Sequence, residues 1–276
     1  MLLCPVCHEP LVDDERGAVC AGGHWFDRAR EGYLYLLRSS KSGDSMGDPK
    51  SQARSRRDFL NRGYYAPLRD AMVELVRKQT SGCATSANGP MTLLDICCGE
   101  GYYTAYVRDA LLAAGKAPRS AGIDISKFSL QKAAKRYSGI EFAVASAYHL
   151  PLADASVGLV LNCFSPLALD EFRRVLRPGG AFLYVVPAAD HLWELKQVLY
   201  DQPYRNREED VPYEGFSYER VEPVEAVVDV AGEALRDLFQ MTPYYWKTPR
   251  EGAERLAALD GLRVRASFRV HVFRRR

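Results

Sequence analysis

Two groups of residues in this sequence have the types and spacing to do chemistry. The first is near the start. Cys4 and Cys7 form a C-x-x-C pair, and Cys20 and His24 follow after twelve intervening residues. Thiolate and imidazole are borderline-soft ligands that suit Zn2+, and two such pairs across a short hairpin match a tetrahedral site. Residues 11–19 read as strand, acidic-glycine turn, strand. His8 is a rival fourth ligand, but it adjoins Cys7 and would leave the second pair without its partner. With protein at all four positions, Cys4, Cys7, Cys20 and His24 would close the site and give the metal a structural role. So small a module buries too little surface to fold alone, which fits a requirement for metal.

The second group is Asp95-Ile96-Cys97-Cys98-Gly99-Glu100-Gly101-Tyr102. Glycines let the backbone pass close to a ligand with no Cβ in the way. Free N–H groups at the start of a following helix attract a carboxylate or phosphate. A second apolar run then ends in Asp124. A carboxylate at that strand tip is placed to accept both hydroxyls of a ribose.

The elements that position these residues follow from periodicity. An apolar run over 91–98 predicts a strand, and 102–114 a helix. The pattern continues as strand 119–124, helix 126–137, strand 140–145, strand 157–163 and helix 168–176. Residues 177–180 (Arg-Pro-Gly-Gly) read as a turn before strand 181–186. Strands alternating with helices imply a mostly parallel sheet with ligands at the carboxyl ends of its strands. Ahead of this core, helices are predicted over 52–61 and from 67 to 79, and they place Gly63-Tyr64-Tyr65 near the mouth. Beyond it a helix starts at Asp190. A strand near 216–227, a helix over 230–240 and a strand over 264–273 follow. Residues 38–53 read as a linker or loop, and 81–90 as a loop. Trp25, Phe26, Tyr33, Tyr35, Leu36 and Leu37 are expected to pack the N-terminal module onto its neighbours. The division expected is a zinc-binding module over 1–37, a linker and helix over 38–63, and the α/β domain over 64–276.

At 276 residues the chain suits one large domain, or one domain with a small module. No apolar run approaches the roughly twenty residues of a membrane helix. The first residues lack the basic and apolar regions of a signal peptide, so a cytoplasmic protein is expected. Seven cysteines then read as metal ligands or buried thiols, not disulfides. The net charge of +2 is unevenly spread. Lys50, Arg54, Arg56, Arg57, Arg62 and Arg69 cluster, and so do Arg263, Arg265, Arg269, Arg274, Arg275 and Arg276. Either cluster could be a phosphate-binding face; the plainer reading is a solvated helix face and a solubilising tail.

Asp95-x-x-x-Gly99-x-Gly101 resembles the first motif of class I methyltransferases that use S-adenosylmethionine (SAM). That family commonly shows D-x-G-x-G-x-G, and here Cys97 stands at the first glycine. Residues 145–152 resemble the segment that borders the adenine ring in that fold. Several further motifs occur in order. They are His24-x-Phe26-Asp27, Gly63-Tyr64-Tyr65-x-Pro67-Leu68, Phe164-Ser165-Pro166, His191-Leu192-x-Glu194 and Met241-Thr242-Pro243. As a set, spanning essentially the whole chain, they resemble the RlmA-type 23S rRNA (guanine-N1-)-methyltransferases, the group that includes tylosin-resistance enzymes.

The resemblance implies zinc on Cys4, Cys7, Cys20 and His24, and SAM contacts at Tyr65, Gly99, Glu100 and His191. Asp124 is added from its place at a strand end, and Gly101 and Tyr102 from the turn they complete. The fold implied is a Rossmann-like class I methyltransferase with an N-terminal zinc ribbon. The activity implied is methylation of guanine N1 in a 23S rRNA hairpin, with the zinc module and the basic region from Arg54 to Arg69 helping to bind the RNA. Phe164 is the candidate face for the target base, and Asn162 and Ser165 are candidates to hydrogen-bond its edge. No general base is named by the sequence, and a homodimer is left open. Two rivals remain: a SAM-dependent enzyme for a small molecule, and a non-catalytic zinc protein that binds RNA.

Overall fold

The structure, a computed structural model, describes residues 1–37, 47–80, 91–208 and 212–276. Of the linker or loop expected over 38–53, residues 38–46 lie outside the described residues, as does the loop expected at 81–90. The end of the 38–53 stretch is corrected, because a helix already begins at Lys50. Three short strands, β1 (Val12–Asp14), β2 (Gly17–Val19) and β3 (Trp25–Asp27), form an antiparallel sheet in the order β1-β2-β3. The next strand, β4 (Leu34–Tyr35), leaves that sheet and pairs in parallel with β7 (Glu141–Val144) of the main one. Two residues are too few to announce a strand by periodicity, and this junction was not expected from the sequence.

Helices α1 (Lys50–Asn61) and α2 (Ala66–Thr80) lead into β5 (Thr92–Ile96). The core continues as α3 (Tyr102–Ala113), β6 (Arg119–Asp124), α4 (Lys127–Arg136) and β7. Then come β8 (Val157–Cys163), α5 (Leu169–Val175) and β9 (Leu176–Pro187). The main sheet runs β10-β11-β9-β8-β5-β6-β7-β4, where β10 is Phe216–Ala231 and β11 is Gly261–Arg275. β4 to β9 are parallel, and β10 and β11 add an antiparallel edge. The order turns back between β5 and β8, and a crevice opens there at the carboxyl ends of the strands.

The structure corrects four boundaries. β9 begins at Leu176, not after the glycines, because Leu176 pairs with Val157 before a bulge shifts the register to Leu159 with Ala181. The helix expected from Asp190 starts at Trp193 (α6, Trp193–Leu199), because Leu192 adopts a left-handed φ of 54°. The last two strands are longer than expected and pair along their length as a hairpin. The helix between them, α7 (Glu233–Met241), starts after Gly232, whose φ is 57°. A short 3-10 turn (Pro243–Trp246) and α8 (Arg250–Ala257) were not foreseen.

Two apolar layers sandwich the sheet. One packs Phe59, Leu68, Met72, Leu111, Leu195 and Leu238 against it. On the other face the connection from β7 to β8, residues 145–156, contains no helix. Leu2, Ala18, Leu34 and Leu36 of the N-terminal region cover the strands there, beside Phe172 and Val175 of α5. Among the described residues no helix is long and apolar enough to cross a membrane.

Candidate active site and metal centre

The crevice is built on the turn after β5. Cys97, Gly99 and Gly101 have φ of 59°, 56° and 75°. This alternation of left-handed residues folds the loop back over the strand, and it is why glycines belong there. A Cβ built on Gly99 would meet nothing within 4 Å, so open space lies over the turn. Gly99 N–H donates to Asp124 Oδ2 at 2.8 Å, and Ser126 N–H donates to Oδ1 at 2.7 Å. The tips of β5 and β6 are thereby tied together. Each carboxylate oxygen retains a second acceptor position.

Three carboxyls here are pushed toward neutrality, Asp124 among them by its burial. Burial raises Asp95 to about 7, although Thr104 Oγ1 donates to it. Burial likewise raises Glu100 to about 7, against the pull of Arg57, Lys132 and Arg136. Among the described residues, Glu100 Oε1 is buried with no hydrogen-bond partner. An orphaned acceptor beside an open glycine turn fits a polar, positively charged ligand group.

The far wall is aromatic. Tyr65 Oη lies 3.3 Å from His191 Nε2, and Ser267 N–H donates to His191 Nδ1 at 3.2 Å. Burial drives His191 down to about 3, so the ring is neutral. With Nδ1 accepting, the proton sits on Nε2 and donates to Tyr65. Phe268 packs against both rings, at 4.8 Å from Tyr65 and 4.7 Å from His191. It also touches Phe164 at 5.7 Å. Phe164 follows β8 with φ 57° and is 45% exposed. Asn162 is fully buried; its Nδ2 donates to Pro166 O at 3.1 Å, and its Oδ1 has no partner among the described residues. Ser165 Oγ donates to Ile96 O at 3.5 Å.

The metal centre is compact. Among the described residues, the ligand atoms of Cys4, Cys7, Cys20 and His24 all lie within 4.8 Å of one another. Individual edges are 3.6 Å (Cys4 Sγ to His24 Nδ1), 3.3 Å (Cys20 Sγ to His24 Nδ1) and 3.5 Å (Cys7 Sγ to Cys20 Sγ). A tetrahedral zinc with these donors has edges of about 3.5–3.8 Å, so the set fits. His8 is outside the cluster, in a left-handed turn with φ 61°.

Comparison with known proteins gives two family matches. A family described as "RlmA, N-terminal", a zinc ribbon, matches residues 2–41, and a methyltransferase domain matches residues 93–180. The 23S rRNA (guanine(748)-N(1))-methyltransferase of Streptomyces fradiae is 33% identical over 95% of this chain and 91% of its own length. The chain belongs to the RlmA-type 23S rRNA (guanine-N1-)-methyltransferase family. Bacillus subtilis (strain 168) YxjB, which carries that class name provisionally, is 34% identical over 91% of this chain and 89% of its own. By contrast, a malonyl-[acyl-carrier protein] O-methyltransferase of Hamiltonella defensa matches over 42% of this chain only.

In this RlmA-type chain Gly99 is tied to Asp124 at the tips of β5 and β6, with Glu100 and Gly101 in the same turn, while Tyr65 and His191 pair with each other beyond β9. Tyr102 itself is buried, and its hydroxyl accepts from Arg69 at 3.4 Å. Of the six residues expected to pack the ribbon, Trp25 is 42% exposed and lies over Gly17. Phe268 escaped the sequence reading because it lies on the last strand, and only the antiparallel pairing with β9 brings it to the mouth.

The basic clusters are changed most by the fold. Arg56 pairs with Asp48, Arg57 with Asp58, Arg62 with Asp237, and Arg69 with Asp70. On the terminal hairpin, Arg263, Arg265 and Arg274 face Asp229, Glu225 and Glu219 across the strands. These clusters are largely neutralised within the chain.

Proposed function

We propose that this protein methylates N1 of a guanine in a hairpin of 23S rRNA, using SAM. The observation that supports this reading most is the extent of the match. Relatives with that class name align along more than nine-tenths of the chain, and the ribbon by itself matches the family described as RlmA, N-terminal. The acyl-carrier-protein methyltransferase, by contrast, matches 42% of this chain and 46% of its own length.

SAM, when bound, supplies an electrophilic methyl on a sulfonium. Gly99, Gly101 and the start of α3 would approach its amino-acid end, and Asp124 its ribose. Glu100 offers a positive group an acceptor that has no partner among the described residues. Tyr65 and His191, both neutral and buried, line the wall without adding charge. Phe164 would stack on the target base and hold N1 in line with the methyl. Asn162 Oδ1 is an acceptor at the root of that loop, and Ser165 Oγ a polar group beside it. A hairpin guanine reaches such a pocket only when splayed or flipped from its stack.

For the RNA backbone, α4 is better suited than α1. Lys127, Lys132 and Lys135 make no ion pair among the described residues, and α4 carries no acid. The helix starts beside Asp124, and at its side Gln131 reaches Glu31 of the ribbon region at 2.8 Å. We assign the ribbon over 1–37, the linker and helix over 38–63 and the catalytic domain over 64–276 to one RNA-binding unit that works in the cytoplasm. The test is tritium transfer from labelled SAM to unmethylated 23S rRNA, followed by nucleoside analysis. Label in 1-methylguanosine is the expected result; label without RNA, or no transfer, overturns the reading.

A further inference from the structure

We propose that the zinc ribbon forms a wall of the cofactor crevice, so that the metal governs SAM affinity as well as any grip on RNA. The inference rests on the reading that SAM occupies the carboxyl ends of β5 and β6. In an α/β domain a crossover between parallel strands ordinarily carries a helix that covers the sheet. Here the β7–β8 crossover is a bare segment, residues 145–156. It leaves the crevice edge at Ala145, whose N–H donates to Asp124 O at 3.1 Å.

The segment is held from two sides. Along α5, Glu171 accepts from Leu150 N–H at 2.6 Å. Arg174 donates to Leu150 O at 2.9 Å and to Leu152 O at 2.7 Å. From the other side comes the ribbon. Leu3 N–H donates to Pro151 O at 2.8 Å, one residue before the ligand Cys4. Leu2, Ala18, Leu34 and Leu36 share a single apolar layer with Leu150, Leu152, Ile96 and Ile123. Leu36 N–H donates to Val144 O at 2.9 Å, and the terminal amine of Met1 pairs with Glu141 at 2.8 Å.

The ribbon thus occupies the place of the missing helix. Its strands are three residues long, too short to persist without the metal. Zinc therefore fixes Leu2 and Leu3, these fix 150–152, and that segment completes the rim beside Asp124.

The experiment is SAM titration by calorimetry on the full-length zinc-loaded protein, without RNA, before and after metal chelation and again after zinc is restored. Hydrogen exchange is followed at 145–156. We expect chelation to weaken SAM binding at least tenfold and to deprotect 145–156, while β9 and β11 stay protected; zinc should reverse both. Unchanged affinity in a folded zinc-free protein would overturn the proposal. Should chelation unfold the chain, Leu3→Pro decides. It deletes one N–H, keeps all four ligands, and should weaken SAM binding about two- to tenfold, the range for one net hydrogen bond. A Leu3→Pro protein with zinc and SAM affinity unchanged would overturn it too. Loaded wild type that binds no SAM would overturn the cofactor reading beneath it.

Discussion

Tyr65 and His191 meet at 3.3 Å across 126 residues of sequence, through a histidine that burial keeps neutral. That neutrality has a pH signature. His191 titrates near 3 in the fold and near 6.5 unfolded, so between those values only the unfolded chain binds the proton. Stability therefore rises with pH across that window, by up to about 1.4 kcal/mol per unit, and falls again on acidification. Asp95 runs the opposite way. Its pKa rises from 3.8 to about 7, so the native state holds the extra proton and stability drops as pH rises through that range. The two slopes offset each other in wild type. His191→Gln should expose the Asp95 slope, making the variant relatively more stable at pH 4.5 than at 6.5 in urea unfolding. Adding Asp95→Asn should reduce it by about half, because Glu100, raised from 4.5 to about 7, keeps a slope of the same sign. Parallel curves for wild type and His191→Gln would refute this account.

Phe164 combines exposure with a backbone conformation that costs a non-glycine residue about 1–2 kcal/mol. A residue held so is worth asking about function. Phe164→Ala should lower methylation of RNA by about 5- to 100-fold, the value of one stacked base, and leave SAM affinity unchanged. Phe164→Gly should be as inactive, yet about 1 kcal/mol more stable than the alanine variant because it removes the strain. Equal stability of the two would argue against the strain, and full activity of either against the stacking role.

Cys97 stands where the methyltransferase motif usually has glycine, and it adopts the glycine conformation with φ 59°. Burial pushes its thiol up to about 11, so it offers no thiolate at neutral pH. Its size, and not its chemistry, is then what the loop requires. Cys97→Gly should keep SAM affinity within about twofold of wild type and gain up to about 1 kcal/mol of stability, since relief of the left-handed cost slightly exceeds the entropy of glycine. Cys97→Val should lose 2 kcal/mol or more, because a β-branched residue at positive φ is strongly disfavoured. Thermal unfolding and SAM titration read both. A tenfold loss of SAM affinity in the glycine variant would mean that the thiol itself matters.

Much of the crevice was legible because it depends on local rules. Glycines mark left-handed turns, Asp124 ends its strand, and metal ligands declare themselves by spacing. What stayed hidden depends on distant partners. The ribbon's role in the sheet rests on two residues of β4 and on a helix absent from 145–156, and an absence leaves no periodicity to read. The charge of the arginine clusters was misleading for the same reason: Arg62 finds Asp237 only after α1 packs beside α7. Phe268 joins the mouth through strand pairing alone.

The salt dependence of RNA binding separates the two candidate basic faces. Each phosphate contact contributes about 0.7–0.9 to the slope of log affinity against log salt. Arg56 and Arg57 are held by Asp48 and Asp58, and releasing them to phosphate would cost those pairs. Lys127, Lys132 and Lys135 of α4 form no ion pair among the described residues; Lys132 and Lys135 feel only the more distant Glu100 and Glu31. Replacing the three lysines with Ala should reduce the slope by about 2 and weaken binding most at low salt. Arg56→Ala with Arg57→Ala should change it by less than about 1. Circular dichroism confirms that each variant folds, and Lys→Arg at the three α4 positions should restore the slope, since charge and not side-chain identity is required. A wild-type slope in the α4 triple variant would move the RNA to another face of the protein.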